Sequence, residues 1–287
     1  MIWVDTLMQG ILLGGLYALF AAGLSLVFGI MRLVNLAHGD LIVLAAYLIL
    51  TISSALGLHP FLAVFLAAPV MFAAGWLLQT HLLNRVLGPD ILPPLLVTFG
   101  LSVVTQNALL QGFTADSRKL TAGPIEAEAL HLGPVTLGVM PVLTLTAAVV
   151  VIWGLNQLFY RTALGRAFRA TSDDAVTAQL MGIRPQNVFA IATGLALVVA
   201  TIAALFLGTR ANFDPSIGPA RLLYAFEAVI IGGLGSLWGT LAGGIVIGVA
   251  QALGAAVNPE WQILSGHIAF VAVLMLRPRG LFPRAND

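Results

Sequence analysis

Residues 6–31, 91–115, 185–209 and 228–259 each run without a single Asp, Glu, Lys or Arg. No other feature limits its fold as sharply. A helix needs only about 20 apolar residues to cross a bilayer, so each stretch is long enough to span. Charged residues make up only 9% of the 287, and hydrophobic residues 59%, whereas a soluble domain carries about 25% charged residues. The chain is therefore read as a polytopic membrane protein. Lipid offers no partner for unpaired backbone groups, so the spans should be helices and the fold class all-α.

Apolar runs broken by Pro, Gly and charge place spans near residues 5–30, 40–56, 61–83, 94–112, 138–159 and 188–208. A glycine-rich region at 222–257 and a last span at 260–276 follow. Basic residues divide unevenly between the loops: Arg32, Arg85, Arg161, Arg166, Arg169, Arg184, Arg277, Arg279 and Arg284 fall on one side. Arg118, Lys119, Arg210 and Arg221 fall on the other. The richer side is expected in the cytoplasm, which puts the amino terminus outside and the carboxyl terminus inside. An odd number of crossings is then required, so 222–257 crosses twice or enters and returns, broken around Gly232, Gly233 and Gly235. The expectation is 8–9 membrane helices, including this broken hairpin, in one domain over residues 1–287.

The absence of cysteine excludes a disulfide framework, a thiolate metal site and a cysteine nucleophile. A net charge of +1 argues against nucleic acid as a partner. The start, MIWVD, lacks the basic region of a cleaved signal, so the first apolar stretch is expected to stay as an anchor. No G-x-x-x-x-G-K-[ST] loop occurs, and the lone lysine, Lys119, lies in a loop; no nucleotide or metal cofactor is expected in this chain.

Three segments stand out. In RLVNLAHGD at 32–40, Asn35, His38 and Asp40 lie close together between two spans, as an interfacial turn with Asp40 at the positive end of the next helix or as a site on a pathway. In FEAVIIGGLGSLWGTLAGGIVIG at 226–248, Gly235, Gly239 and Gly243, then Gly244 and Gly248, recur every four residues and leave a smooth face for close helix packing. GLGSLWG is one residue too long for a dinucleotide fingerprint. Glu227 in the same stretch is either a functional carboxylate or an interfacial one near Arg221. The third segment, residues 161–187, is a charged island in an oily chain. Gly165 precedes a helix-prone run from Arg166 to Met181, with Asp173 and Asp174 inside it, closed by Gln179, Met181 and Gly182 and stopped by Pro185. It reads as a solvated loop helix or as a docking element, and its length speaks for docking.

GRAFRATSDDAVTAQLMGI resembles the cytoplasmic coupling loop of bacterial ABC-importer permeases for branched-chain amino acids, the LivH branch. LVFGIMRLVNLAHGDLIVLAAY at 26–47, AFEAVIIGGLGSLWGTLAGGIVIGVAQAL at 225–253 and RPRGLF at 277–282 are similar to that family in the same order. The resemblance implies a multi-pass permease of the bacterial inner membrane, working by alternating access. Gly165, Arg166, Arg169, Asp173, Asp174, Gln179, Met181 and Gly182 would seat on one of two cytoplasmic ATPase subunits, which bind the ATP and Mg. A LivM-like second permease subunit and a periplasmic solute-binding protein would complete the machine, the latter meeting loops near Arg118, Lys119 and Asp214. The rival expectation is a self-sufficient channel or secondary transporter for a small solute such as urea or an amide, in which Glu227 or the Asn35, His38 and Asp40 cluster handles protons or solute.

Overall fold

The computed structural model describes residues 2–88, 90–132 and 135–282; Arg284 lies outside the described residues. Among them, eleven α-helices carry the fold. They are α1 (Ile2–Met31), α2 (His38–Leu56), α3 (Pro60–His81), α4 (Leu92–Phe113), α5 (Val139–Arg161), α6 (Ala163–Asp173), α7 (Ala175–Leu180), α8 (Pro185–Arg210), α9 (Gly218–Gly232), α10 (Leu237–Val257) and α11 (Trp261–Leu276). Seven of these, α1 to α5, α8 and α10, are long and apolar enough to cross a membrane. The only strands among the described residues, β1 (Ala129–Leu132) and β2 (Val135–Gly138), form a small antiparallel hairpin in the loop between α4 and α5.

A helix that is apolar on every side is a buried one, and α1 is the centre of the bundle, with Leu16 to Leu24 almost wholly covered. It packs along α10, while α8, the other central helix, packs along α3. In chain direction α1 and α8 run oppositely, as do α10 and α3. The bundle is thus built from two inverted halves that meet where α1 crosses α8. A Cβ added to Gly23 there would lie 2.8 Å from the Ala196 carbonyl oxygen. No repeat in the sequence marks this arrangement.

Each half contains a broken helix. After α1 ends, residues 32–37 leave helical geometry, Arg32 with φ of 52°. They climb back until His38 opens α2 with its ring nitrogen 2.9 Å from the Phe20 carbonyl oxygen. Phe20 stands eleven residues before the end of α1, about 16 Å back along that helix at 1.5 Å per residue and near its middle. In the second half residues 211–217 descend from α8, and α9 begins at Gly218 against Gly39 and Asp40. Both α2 and α9 therefore start inside the membrane layer, the kind of backbone break tolerated only where protein covers it.

The remaining loops sort to two ends. At one end Asn84 donates to the Gln186 carbonyl at 3.3 Å, Ser172 donates to the Gly29 carbonyl at 2.7 Å, and Gly280 lies against Gly233. At the other, Arg118 pairs with Phe213, His59 reaches the Ala122 carbonyl at 3.1 Å and Gln9 donates to the Thr136 carbonyl at 3.0 Å. The glycine-rich region breaks where expected: α9 enters from mid-layer and the chain turns through Gly233 and Gly235, at φ of 101° and 78°, into α10, which at 21 residues is a full-length helix and not a short one. These helices agree with the expected architecture of about 8–9 membrane helices with a broken glycine-rich hairpin.

Candidate functional site

The polar residues at 32–40 are not an interfacial turn. Asn35 shapes the break itself, its side-chain oxygen accepting from the Ala37 amide at 3.0 Å and its carbonyl from the His38 amide at 3.1 Å. His38 and Asp40 are buried at mid-layer. Ser102 of α4 donates to Asp40 Oδ2 at 2.5 Å, Gln106 stands behind Ser102 at 3.3 Å, and a Cβ on Gly218 would collide with Asp40 Oδ1. The carboxyl thus sits at the first turn of α2 and against the start of α9, where both helix dipoles favour negative charge.

Glu227 lies elsewhere. It is nine residues into α9, about 13 Å further along that helix, so the structure does not join it to Asn35, His38 and Asp40 in one site. Nor is it at the outer boundary. It is 2% exposed, and His267 of α11 holds its Oε1 through Nδ1 at 2.5 Å. The His267 ring stacks on Tyr224 with centroids 6.2 Å apart and planes 9° from parallel; Tyr224 stacks on Tyr17 at 4.8 Å. Tyr17 in turn donates to Gln251 Oε1 of α10 at 2.5 Å. Arg221, expected in an outer loop, lies on the first turn of α9, one i to i+3 step above Tyr224. His267, Gln251, Tyr17 and Ser102 are missed from sequence. The available signal is that each is a polar side chain inside an apolar span.

The glycines act by backbone approach. A Cβ on Gly232 or on Gly239 would run into the backbone of the other, and one on Gly243 into the Ala228 carbonyl. One on Gly248 would strike the Gly10 carbonyl and Gly14 of α1. Gly10 and Gly14, themselves four residues apart in QGILLGG, supply the opposing smooth face and are also missed from sequence.

The island at 161–187 is two helices, not one continuous run from Arg166 to Met181. Asp174 has an extended backbone and caps α7, accepting from the amides of Val176 at 2.9 Å and Thr177 at 3.2 Å. The Thr177 hydroxyl also donates to it, and these hydrogen bonds, the side-chain one foremost, hold its carboxyl below the usual carboxylate range. Nor does the whole island lie in water. On α6, Gly165, Phe168 and Thr171 are buried, and Gly165 leaves room for the carbonyls of Leu158 and Phe159. Arg169 donates to the Phe159 carbonyl and lies 5.3 Å over the Tyr160 ring, so it anchors α6 to α5 instead of presenting charge outward. Beyond Asp174 the surface turns apolar and open: Val176, Leu180 and Met181 are 70%, 83% and 79% exposed. Gln179 is also exposed, and Gly182, with φ of 85°, ends the element. Arg166 and Asp173 are exposed on α6, Asp173 as its last residue.

Compared with known proteins, residues 6–275 match the model of a family described as branched-chain amino acid transport system / permease component. The high-affinity branched-chain amino acid transport system permease protein BraD of Pseudomonas aeruginosa is 30% identical over 98% of this chain and 96% of its own. LivH of Escherichia coli, a permease protein of the same description, is 28% identical over the same shares. LivM of Salmonella typhimurium, again so described, is 23% identical over 93% of this chain and 68% of its own.

Proposed function

We propose, for a chain that belongs to the family of branched-chain amino acid transport system permease components, that it is the membrane permease subunit of a binding-protein-dependent importer and carries branched-chain amino acids inward. The observation that carries this reading is the family match over nearly the whole chain, 6–275. The work is done by motion instead of chemistry: ATP and Mg are bound by two separate ATPase subunits, and this chain hydrolyses nothing.

The exposed apolar tip of α7 supports its role as the seat for an ATPase subunit, since an open patch of Val176, Leu180 and Met181 at a water-facing end is otherwise costly. Displacement of α7 passes to α6 and then, through Ser172 on the Gly29 carbonyl and Arg169 on the Phe159 carbonyl, to the ends of α1 and α5. Because α1 packs tightly on α10 through glycine, it moves with its neighbours as a body. The end bearing α7 faces the cytoplasm, a sidedness supported by the excess of arginine in the loops there. The amino terminus and the loop between α4 and α5 face outward in the bacterial inner membrane, where the solute-binding protein docks. A LivM-like subunit forms the other half of the pathway.

In proteoliposomes holding the assembled complex, L-leucine uptake should require ATP, the binding protein and both permease subunits. Solute movement through this chain alone, without ATPases, would replace this reading with a self-sufficient channel or secondary transporter.

A further inference from the structure

Glu227, Gln251 and Arg221 share a peculiarity. Although Glu227 and Gln251 are 2% and 1% exposed, Glu227 Oε2 and Gln251 Nε2 have no hydrogen-bond partner among the described residues, and neither has the buried Nε of Arg221. Leaving such an atom unsatisfied costs about 1–3 kcal/mol, and more in an apolar surround. The same side chains are otherwise carefully held: Glu227 by His267, Gln251 by Tyr17, with the rings of Tyr17, Tyr224 and His267 stacked between them. Gly266 of α11 makes room for the Gln251 side chain, because a Cβ there would lie 2.8 Å from its Nε2. Arg221, Tyr224 and Glu227 follow one another at i, i+3 and i+6 along one row of α9.

The orphan groups are of two opposite kinds. One is an anionic acceptor, Glu227 Oε2; the others, at Gln251 and Arg221, are donors. A ligand that satisfies both carries a cationic donor and an anionic acceptor on one small body. We propose that this row is a solute site in the permease itself, taking a zwitterionic α-amino acid, with Glu227 receiving the ammonium and Gln251 and Arg221 the carboxylate. The inference rests on the permease reading and deepens it, since selection then occurs in the membrane as well as in the binding protein. A solute lacking either charge would leave a buried group unpaired, which is the strongest form of discrimination such a wall can exert.

The test uses the complete complex in proteoliposomes with L-leucine and its binding protein, reading uptake and ATP turnover together. Glu227→Gln should lower leucine uptake at least tenfold while stimulated ATP turnover stays within twofold, because α7 packs on α6 and α8 and not on Glu227. Glu227→Asp should recover part of the uptake, and Gln251→Leu should reproduce the loss, with the melting temperature of each purified variant checking that it folds. Wild-type leucine uptake in both Glu227→Gln and Gln251→Leu would overturn the site and leave the permease reading standing. Loss of uptake and of ATP turnover in equal measure, unrelieved by Glu227→Asp, would overturn it in favour of a structural role. A wild-type complex that moves no leucine at all would overturn the permease reading and the site with it.

Discussion

Substituting single glycines by alanine separates close helix packing from helix propensity with one chemical change. At Gly243 a Cβ would collide with the Ala228 carbonyl oxygen and lie 2.9 Å from the Gly232 nitrogen and 3.0 Å from the Ala228 carbonyl carbon. Those atoms are backbone and cannot swing aside, so α9 and α10 must part. A gap of about 0.5–1 Å forfeits a quarter to a half of each dispersion contact across it. Overpacking of this kind costs up to about 3 kcal/mol. Against it, alanine gains about 1 kcal/mol of helix propensity over glycine. Gly243→Ala should therefore lose about 2 kcal/mol net, lowering the melting temperature of the detergent-purified protein by about 4–8 °C. At Gly154 in α5 no atom lies within 4 Å of the added Cβ, so only the propensity term remains. Gly154→Ala should be neutral or stabilise by up to about 1 kcal/mol. Thermal unfolding followed by size-exclusion or intrinsic fluorescence reads both. Melting shifts of the same sign and size at the two positions would refute the reasoning, because helix separation would then not be what Gly243 prevents.

Leu180→Asp on the exposed tip of α7 should cut substrate-stimulated ATP turnover about tenfold, as loss of an interface anchor does, with no change in melting temperature of the isolated chain. Arg169→Glu should instead lower that melting temperature, because it breaks the α6 to α5 anchor. Ser102→Ala strips a buried carboxyl of its hydroxyl donor and should cost about 1–3 kcal/mol by chemical or thermal unfolding; an unchanged midpoint would mean that Asp40 finds another donor. At Asp174 the folded-state carboxyl is held low, so its cap is complete above the ordinary carboxylate range and lost as pH falls through the lowered value. Amide hydrogen exchange over residues 175–180, corrected for intrinsic rates, should be flat from neutral pH to mildly acidic pH and rise only in stronger acid. Asp174→Ala should raise it at every pH, and Asp174→Asn much less, since Asn also caps.

Span positions are legible in the sequence because charge and proline mark where each helix leaves the apolar layer. Every expected span of 5–30, 40–56, 61–83, 94–112, 138–159, 188–208 and 260–276 has its helix within a few residues. Depth is not legible. RLVNLAHGD reads equally as an interfacial turn or as a site on a pathway because polarity and glycine are the same whether a chain meets water or folds back under cover of other helices. The break at Asp174 could have been read, since an aspartate ahead of a short apolar run is a capping residue; the second acidic residue beside it masks the signal. The partner of Glu227 could not, because His267 is 40 residues downstream and only the return of α11 onto α9 brings the two together. The opposing face of the glycine row could have been found from Gly10 and Gly14 at the same spacing.

The late start of α9 bears on how the chain is made. With 15 residues, Arg221 near one end and Glu227 in its middle, this segment reaches about 22 Å and is both too short and too polar to enter hydrocarbon of about 30 Å unaided. During synthesis it must wait at the insertion machinery until α10, whose glycines fit it and α1, has emerged behind it. Integration of the last third of the protein is then a joint event: a ribosome stalled before Gly254 would leave a half-helix stranded in the wrong phase, and truncated chains of that length should be cleared by membrane proteolysis instead of accumulating.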